Sequence, residues 1–349
     1  MRIHIALIGF GHVARRFVQL LSESRDALRA LDIEPVIVGI ATRRHGSVFL
    51  DAGFEADTLA RFVDLVAAGN AVGPASGSPT ALELLQRLGR MRSDARVMIE
   101  TTVLNVQSGE PAISHVRAAL SVGAHVITAN KGPVACAYRA LADEAAERGL
   151  SFLFEGAVMD GIPIFNLVRE TMPAATITGF RGVINSTTNS MLCAMERGED
   201  YDEALRRMQD AGIAEADPTL DVDGWDAAAK VAAMANVWMD ARVTPRDVVR
   251  SGITWKSAIY ARAVLALGRR AKLVGMARRE ADGRLHLRVR LEELEASDPL
   301  AHLDDQANAL EIDSTPLGRI VITQRDGGLE KTAYALLTDL VALRRRLGR

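Results

Sequence analysis

A short apolar run over residues 3–8 leads into Gly9-Phe10-Gly11, and Phe17, Leu20 and Leu21 then recur at the spacing of one buried helical face. That pattern predicts a strand, a glycine turn and a helix. Further apolar runs at 36–41, 97–100, 125–128 and 151–154 predict strands, with helices between them at 111–122 and 133–148. Strands alternating with helices predict an α/β unit whose parallel sheet is covered on both faces, a doubly wound Rossmann-type arrangement. After Gly156 the pattern changes. Extended segments at 177–183, 284–290 and 318–324 mix with helices at 201–210 and 226–239, which predicts a second, α+β unit. A last helix over 329–345 is free to return to the first unit, and neither a repeat nor a low-complexity stretch interrupts the chain.

The helix after Gly224 carries the strongest chemical signal. Pro218 and Gly224 break any helix across the acidic loop Glu215-Ala216-Asp217-Pro218-Thr219-Leu220-Asp221, so a helix starts near Asp226. Asp226 and Lys230 then stand four residues apart on one face. Lys230 is surrounded by Ala227, Ala228, Ala229, Val231, Ala232, Ala233 and Met234, so acids are its expected partners, and desolvation would lower its pKa toward the range of proton exchange. The plain alternative is an i,i+4 ion pair on a solvated helix.

Composition narrows the function classes. A chain of 349 residues, 48% hydrophobic and 25% charged, is long enough for two domains, and a formal charge of −2 gives no electrostatic case for nucleic acid or an anionic membrane. Cys136 and Cys193 stand apart, without the spacing of a disulfide framework or zinc site. No leader or membrane-length apolar run is visible, which predicts a cytoplasmic protein.

Gly9-Phe10-Gly11-His12-Val13-Ala14 is a G-x-G-x-x-A form of the dinucleotide fingerprint, in which missing side chains let the backbone approach a pyrophosphate at a helix N-terminus. Residues 9–13 are therefore candidate cofactor contacts, as are Thr101 and Thr102. After the second strand, where an NAD site usually places an acid, stands Thr42-Arg43-Arg44-His45. Arg43 and Arg44 favour a 2′-phosphate, hence NADP(H) over NAD(H), although a basic surface loop has the same composition. Lys131, in Thr128-Ala129-Asn130-Lys131-Gly132-Pro133, falls at the carboxyl edge of the sheet and is expected to point toward the nicotinamide; a helix-capping loop is the alternative. Asn185-Ser186-Thr187-Thr188-Asn189 is either a helix cap or a set of N–H and hydroxyl groups for a substrate carboxylate. The glycine-punctuated turn 155–163 reads as a hinge or as a hard-cation site built from carbonyls.

Together these motifs resemble homoserine dehydrogenase, across most of the chain. The resemblance is carried by the N-terminal glycine turn, Thr128-Ala129-Asn130-Lys131, Glu155 with Gly161-Ile162-Pro163, Thr187-Thr188-Asn189, and Ala214-Glu215-Ala216-Asp217-Pro218 followed by Gly224, Asp226 and Lys230. It implies NAD(P)-dependent interconversion of L-homoserine and L-aspartate 4-semialdehyde by a homodimer. It makes Lys131 and Lys230 the proton-handling pair, Glu215 the partner of the substrate ammonium, and Asp221 and Asp226 the supporting acids, with Ser186 and Thr187 counted as substrate contacts. It also implies a Na⁺ or K⁺ site at Glu155 and the carbonyls of Val158, Asp160 and Ile162. The expected domains are 1–150 for the dinucleotide, 151–320 for catalysis and dimerisation, and 321–349 as the returning helix. The chain departs from the family at Val158-Met159-Asp160-Gly161, at Ser186 and at Gln324-Arg325-Asp326-Gly327-Gly328, and with only 329–349 beyond that turn no effector-binding module is expected. The competing readings are a dehydrogenase of a related amino-acid aldehyde or 2-oxo acid, and a non-catalytic NADP(H) sensor; retention of Lys131, Lys230 and Glu215 argues against the sensor.

Overall fold

The computed structural model describes residues 1–74, 78–214 and 217–348. The chain divides into two compact units, Met1–Asn166 with Gly328–Arg349, and Leu167–Gly327.

The first unit holds β1 (Arg2–Ile8), β2 (Glu34–Ala41), β3 (Ser47–Phe49), β4 (Ala95–Glu100), β5 (His125–Thr128) and β6 (Phe152–Leu153), in the order β3-β2-β1-β4-β5-β6. This is the doubly wound order of dinucleotide-binding folds. One strand departs from the expected parallel sheet: β3 runs antiparallel to β2. The link is too short for a crossover. Across it the Thr42 hydroxyl accepts the His45 N–H at 2.7 Å and donates to the Gly46 carbonyl at 2.9 Å, closing a tight turn. The His12–Glu23 helix buries Phe17, Leu20 and Leu21 in the same core as Ala333, Leu336, Leu337, Leu340 and Leu343 of the Leu329–Leu347 helix.

The unit reaches Asn166, beyond the 150 expected, for a local reason. The Glu155 carboxylate, almost wholly buried, accepts the backbone N–H groups of Phe165 (2.8 Å) and Asn166 (2.7 Å), and the Glu155 N–H donates to Asp339 at 2.8 Å. Residues 155–166 are thereby tied to the returning helix.

The second unit holds β7 (Thr176–Val183), β8 (Val249–Arg250), β9 (Arg270–Arg279), β10 (Leu285–Leu294), β11 (Asn308–Thr315) and β12 (Gly318–Gln324), in the order β12-β11-β7-β9-β10-β8. Its pairings are antiparallel except β8 with β10. The Trp225–Met239 helix lies on β7, β9 and β10. Its alanines permit a close approach, which Gly275 of β9 completes: a Cβ there would stand 2.9 Å from Val231 Cγ2. Lys272 of β9 is fully buried, and its ammonium donates to Asn189 Oδ1 (2.9 Å), the Leu303 carbonyl (2.5 Å) and Cys193 Sγ (3.4 Å). Those three acceptors stabilise a charge that burial otherwise disfavours. No helix among the described residues is long and apolar enough to cross a membrane.

Candidate functional site

In the first unit the glycine turn divides its labour. Gly9 has φ +94°, and a Cβ there would lie 2.7 Å from the carbonyl carbon and oxygen of Thr101, so only glycine fits. Thr101 holds the turn, its hydroxyl donating to the Gly9 carbonyl (3.2 Å) and its N–H to that of Ile8 (2.9 Å). Gly11 precedes the His12–Glu23 helix, and a Cβ there would meet no protein atom within 4 Å. No side chain caps this helix and no acid sits in its first turn. The first N–H groups are thus left for an anion, which fits the pyrophosphate of a dinucleotide. His12 is exposed and Val13 half-buried. The Phe10 ring is buried in the core, which leaves its backbone to face the turn. Arg43 and Arg44 project, exposed, from the tight turn between β2 and β3.

At the carboxyl edge of the same sheet stands a residue the motifs did not single out. Glu100, at the end of β4, is fully buried. Its Oε1 accepts both the N–H (2.8 Å) and the hydroxyl of Thr102, and its Oε2 accepts the Thr128 hydroxyl at 2.8 Å. Burial pushes this carboxyl above the ordinary glutamate range, and the bonds from Thr102, Thr128 and Asn130 oppose that rise. Thr128 Oγ1 in turn accepts the Asn130 N–H at 2.9 Å, while Asn130 caps the next helix through Gly132 N (2.9 Å) and donates to the Thr102 carbonyl (3.1 Å). Lys131 is the first residue of that helix, Lys131–Glu147, which starts two residues earlier than Pro133 predicts. An acid closing an otherwise apolar strand was the signal available in the sequence.

In the turn at 155–162, where the cation was expected, several of the oxygens already bind groups of the fold. Both oxygens of Glu155 bind backbone N–H groups, as described above. Asp160, at φ +48°, accepts from Gly328 N (2.9 Å) and the Thr332 hydroxyl (3.1 Å), and the Ile162 carbonyl accepts from Ile164 N at 2.8 Å. Val158 is buried. Among the described residues no group of three His, Cys, Asp or Glu side chains could hold a metal ion.

In the second unit Asn185 organises the acids. It caps the Ser186–Glu196 helix by accepting Thr188 N at 2.8 Å, and its amide donates to Asp221 Oδ1 (2.7 Å) and Asp226 Oδ2 (3.0 Å). Asp226 Oδ2 lies 3.1 Å from Lys230 Nζ, the i,i+4 pair expected, with both side chains more than four-fifths buried. Lys230 also donates to the Ile184 carbonyl at 2.7 Å, a partner outside the expected acids. Burial, then repulsion from Asp226, pushes the Asp221 carboxyl above its ordinary range, against hydrogen bonds from Asn185 and Thr187 and the charge of Lys230. Ser186 accepts the Asn308 amide at 2.9 Å, and Thr187 is buried at the first turn of its helix. Glu215 lies outside the described residues. Asn185 was legible only as one member of a polar run, since its place at the strand end makes it the hub.

A model of the homoserine dehydrogenase family matches residues 163–341. A NAD(+)-dependent homoserine dehydrogenase of Pseudomonas canavaninivorans is 36% identical over 97% of this chain and 95% of that protein. The chain belongs to the homoserine dehydrogenase family. Its Methanocaldococcus jannaschii relative, also a homoserine dehydrogenase, is 30% identical over 97% of both proteins. Among solved structures, the homoserine dehydrogenase of Thiobacillus denitrificans superposes with a TM-score of 0.82 at 29% identity, covering 99% of this chain and 74% of that one. The mixed α/β architecture of the two sheets is therefore that of the homoserine dehydrogenases, a family of nicotinamide-dependent oxidoreductases acting on a small molecule.

Proposed function

We propose that this chain interconverts L-homoserine and L-aspartate 4-semialdehyde, with Lys230 exchanging the proton at the substrate oxygen. The observation that carries the assignment is the buried cluster of Lys230, Asp226, Asn185 and Asp221. A bound nicotinamide dinucleotide supplies the hydride acceptor or donor. Oxidation of the alcohol needs a base for the hydroxyl proton, and aldehyde reduction needs an acid for the nascent alkoxide; one lysine serves both directions. Asp226 holds the Lys230 ammonium in place, and Asn185 holds Asp226. Lys131, at the carboxyl edge of the first sheet, is the second proton-handling group. Asp221 and Glu215 take the substrate ammonium, and Ser186 and Thr187, at a helix N-terminus, take its carboxylate. Such two-point binding fixes the reacting carbon.

Gly9, Phe10, Gly11, His12, Val13, Thr101 and Thr102 are assigned to the dinucleotide. Arg43 and Arg44 support a preference for NADP(H), because charge-assisted contacts to a 2′-phosphate exist with that cofactor alone. The same reading takes the protein as a cytoplasmic homodimer. The deciding experiment is Lys230→Ala. Turnover of homoserine should fall about 10²- to 10⁴-fold with the circular dichroism spectrum preserved. Turnover within a few-fold of the parent would reduce Lys230 to a structural ion pair.

A further inference from the structure

We propose that Glu100 is a positioning residue, which through Thr128 and Asn130 fixes the turn that carries Lys131. The inference rests on the role given to Lys131 above, and the network is unusual in its direction. Glu100 is fully buried at the carboxyl end of β4, and the contacts described to it are donors: the Thr102 N–H and hydroxyl on one oxygen, the Thr128 hydroxyl on the other, and the Asn130 side chain. The Thr102 backbone N–H can only donate, so that side of the site calls for an acceptor, and the Thr128 hydroxyl, whose oxygen already accepts the Asn130 N–H, is placed to donate on the other. Thr128 passes the constraint on. Having given its proton to Glu100, its oxygen accepts the Asn130 N–H at 2.9 Å, and the Asn130 side chain closes the first turn of the Lys131–Glu147 helix on Gly132 N. The Asn130 amide then returns to the Thr102 carbonyl at 3.1 Å. The result is a closed ring joining the loops that follow β4 and β5, with Lys131 as the next residue along. Replacing a buried polar group by a well-packed apolar one is often neutral or stabilising, so packing alone does not account for a buried acid in a core strand. A buried acid joined to two loops at the ligand-binding edge of such a sheet has a positional use instead.

Two substitutions separate positioning from folding. Glu100→Gln keeps the shape and replaces one acceptor by a donor. Thr128→Val removes only the hydroxyl that relays the constraint. In the unliganded protein, amide hydrogen exchange at Asn130 and Gly132 should quicken by about tenfold or more in Thr128→Val, while the thermal midpoint of the rest of the first unit holds. With homoserine, both variants should lose about tenfold in kcat while KM stays within about twofold. In a Lys131→Ala background neither should cause further loss, because a residue acting through Lys131 has nothing left to position. Parental kcat in both variants would overturn the proposal while leaving Lys131 in place, and so would losses that multiply with that of Lys131→Ala. Parental turnover in Lys131→Ala itself would remove the assignment of Lys131, and the positioning role with it. Loss of activity that follows only the thermal midpoint would reduce Glu100 to a structural group.

Discussion

At Asp221 the stability of the fold and the proposed binding role pull in opposite directions. Burial and the nearby Asp226 hold its carboxyl above the ordinary range, so the folded state keeps the proton to a higher pH than the unfolded chain does. Its contribution is therefore fullest below the ordinary aspartate pKa and is lost as pH rises through the raised one, which leaves a cost at neutral pH. An arriving substrate ammonium would offset that cost. Asp221→Asn should accordingly raise the thermal midpoint at pH 8 while raising the KM for homoserine about tenfold or more. A lowered midpoint with unchanged KM would show that the carboxylate is a structural acceptor for Asn185. Arg43 and Arg44 act at the same scale. With both changed to Gln, kcat/KM for NADP⁺ should fall about tenfold or more relative to NAD⁺, the loss expected for hydrogen bonds between charged groups. Equal losses with the two cofactors would place the ribose end elsewhere.

Among the elements, β5 opens on a residue that makes the fold sensitive to acid. His125 Nδ1 accepts the Ser151 N–H at 3.0 Å, which requires an unprotonated ring nitrogen. Burial, and then the charge of Arg96, lowers its pKa to about 4. The unfolded chain takes up this proton first, so the stabilisation is complete above about pH 6.5 and disappears as pH falls from there toward 4. His125→Asn retains an acceptor for Ser151 and removes the titration. Its denaturant midpoint should therefore vary less between pH 6.5 and 4 than the parent's, and an identical slope would assign the acid sensitivity to other groups. The elements also separate what was legible from what was not. The strand, glycine turn and helix at the N-terminus could be read because burial there follows the apolar pattern, and the Trp225–Met239 helix because alanine dominates it. β9 and β11 could not. β9 carries a fully buried Lys272, whose acceptors come from residues 83, 79 and 31 positions away, and β11 carries a buried Glu311 paired with Arg181 of β7 at 2.6 Å. Partners so distant in sequence erase the alternation a strand otherwise displays. Glu100 left a signal as the acid closing an apolar strand, but its partner Thr128, 28 positions away, did not.

For the whole molecule, the path of the chain matters more than any one contact. The first unit is discontinuous, and Leu329–Leu347 supplies Ala333, Leu336, Leu337, Leu340 and Leu343 to its core. Ending the chain after Gly327 should therefore abolish dinucleotide binding by a site whose every assigned contact is still present. Supplying residues 328–349 as a separate peptide should restore binding in part, and unimpaired binding without the peptide would show that the returning helix is dispensable. The exit and re-entry are fastened together, because Asp160 receives the Gly328 N–H at 2.9 Å and Glu155 binds both Asn166 N and Asp339. This clasp imposes a timetable on synthesis. Between the synthesis of residue 166 and that of Leu340, 174 residues are added (340 − 166). At 5–20 residues per second that is roughly 9 to 35 seconds. For that interval the apolar side of the first unit that Leu336 and Leu340 later cover stands exposed, which makes the nascent chain prone to aggregation there.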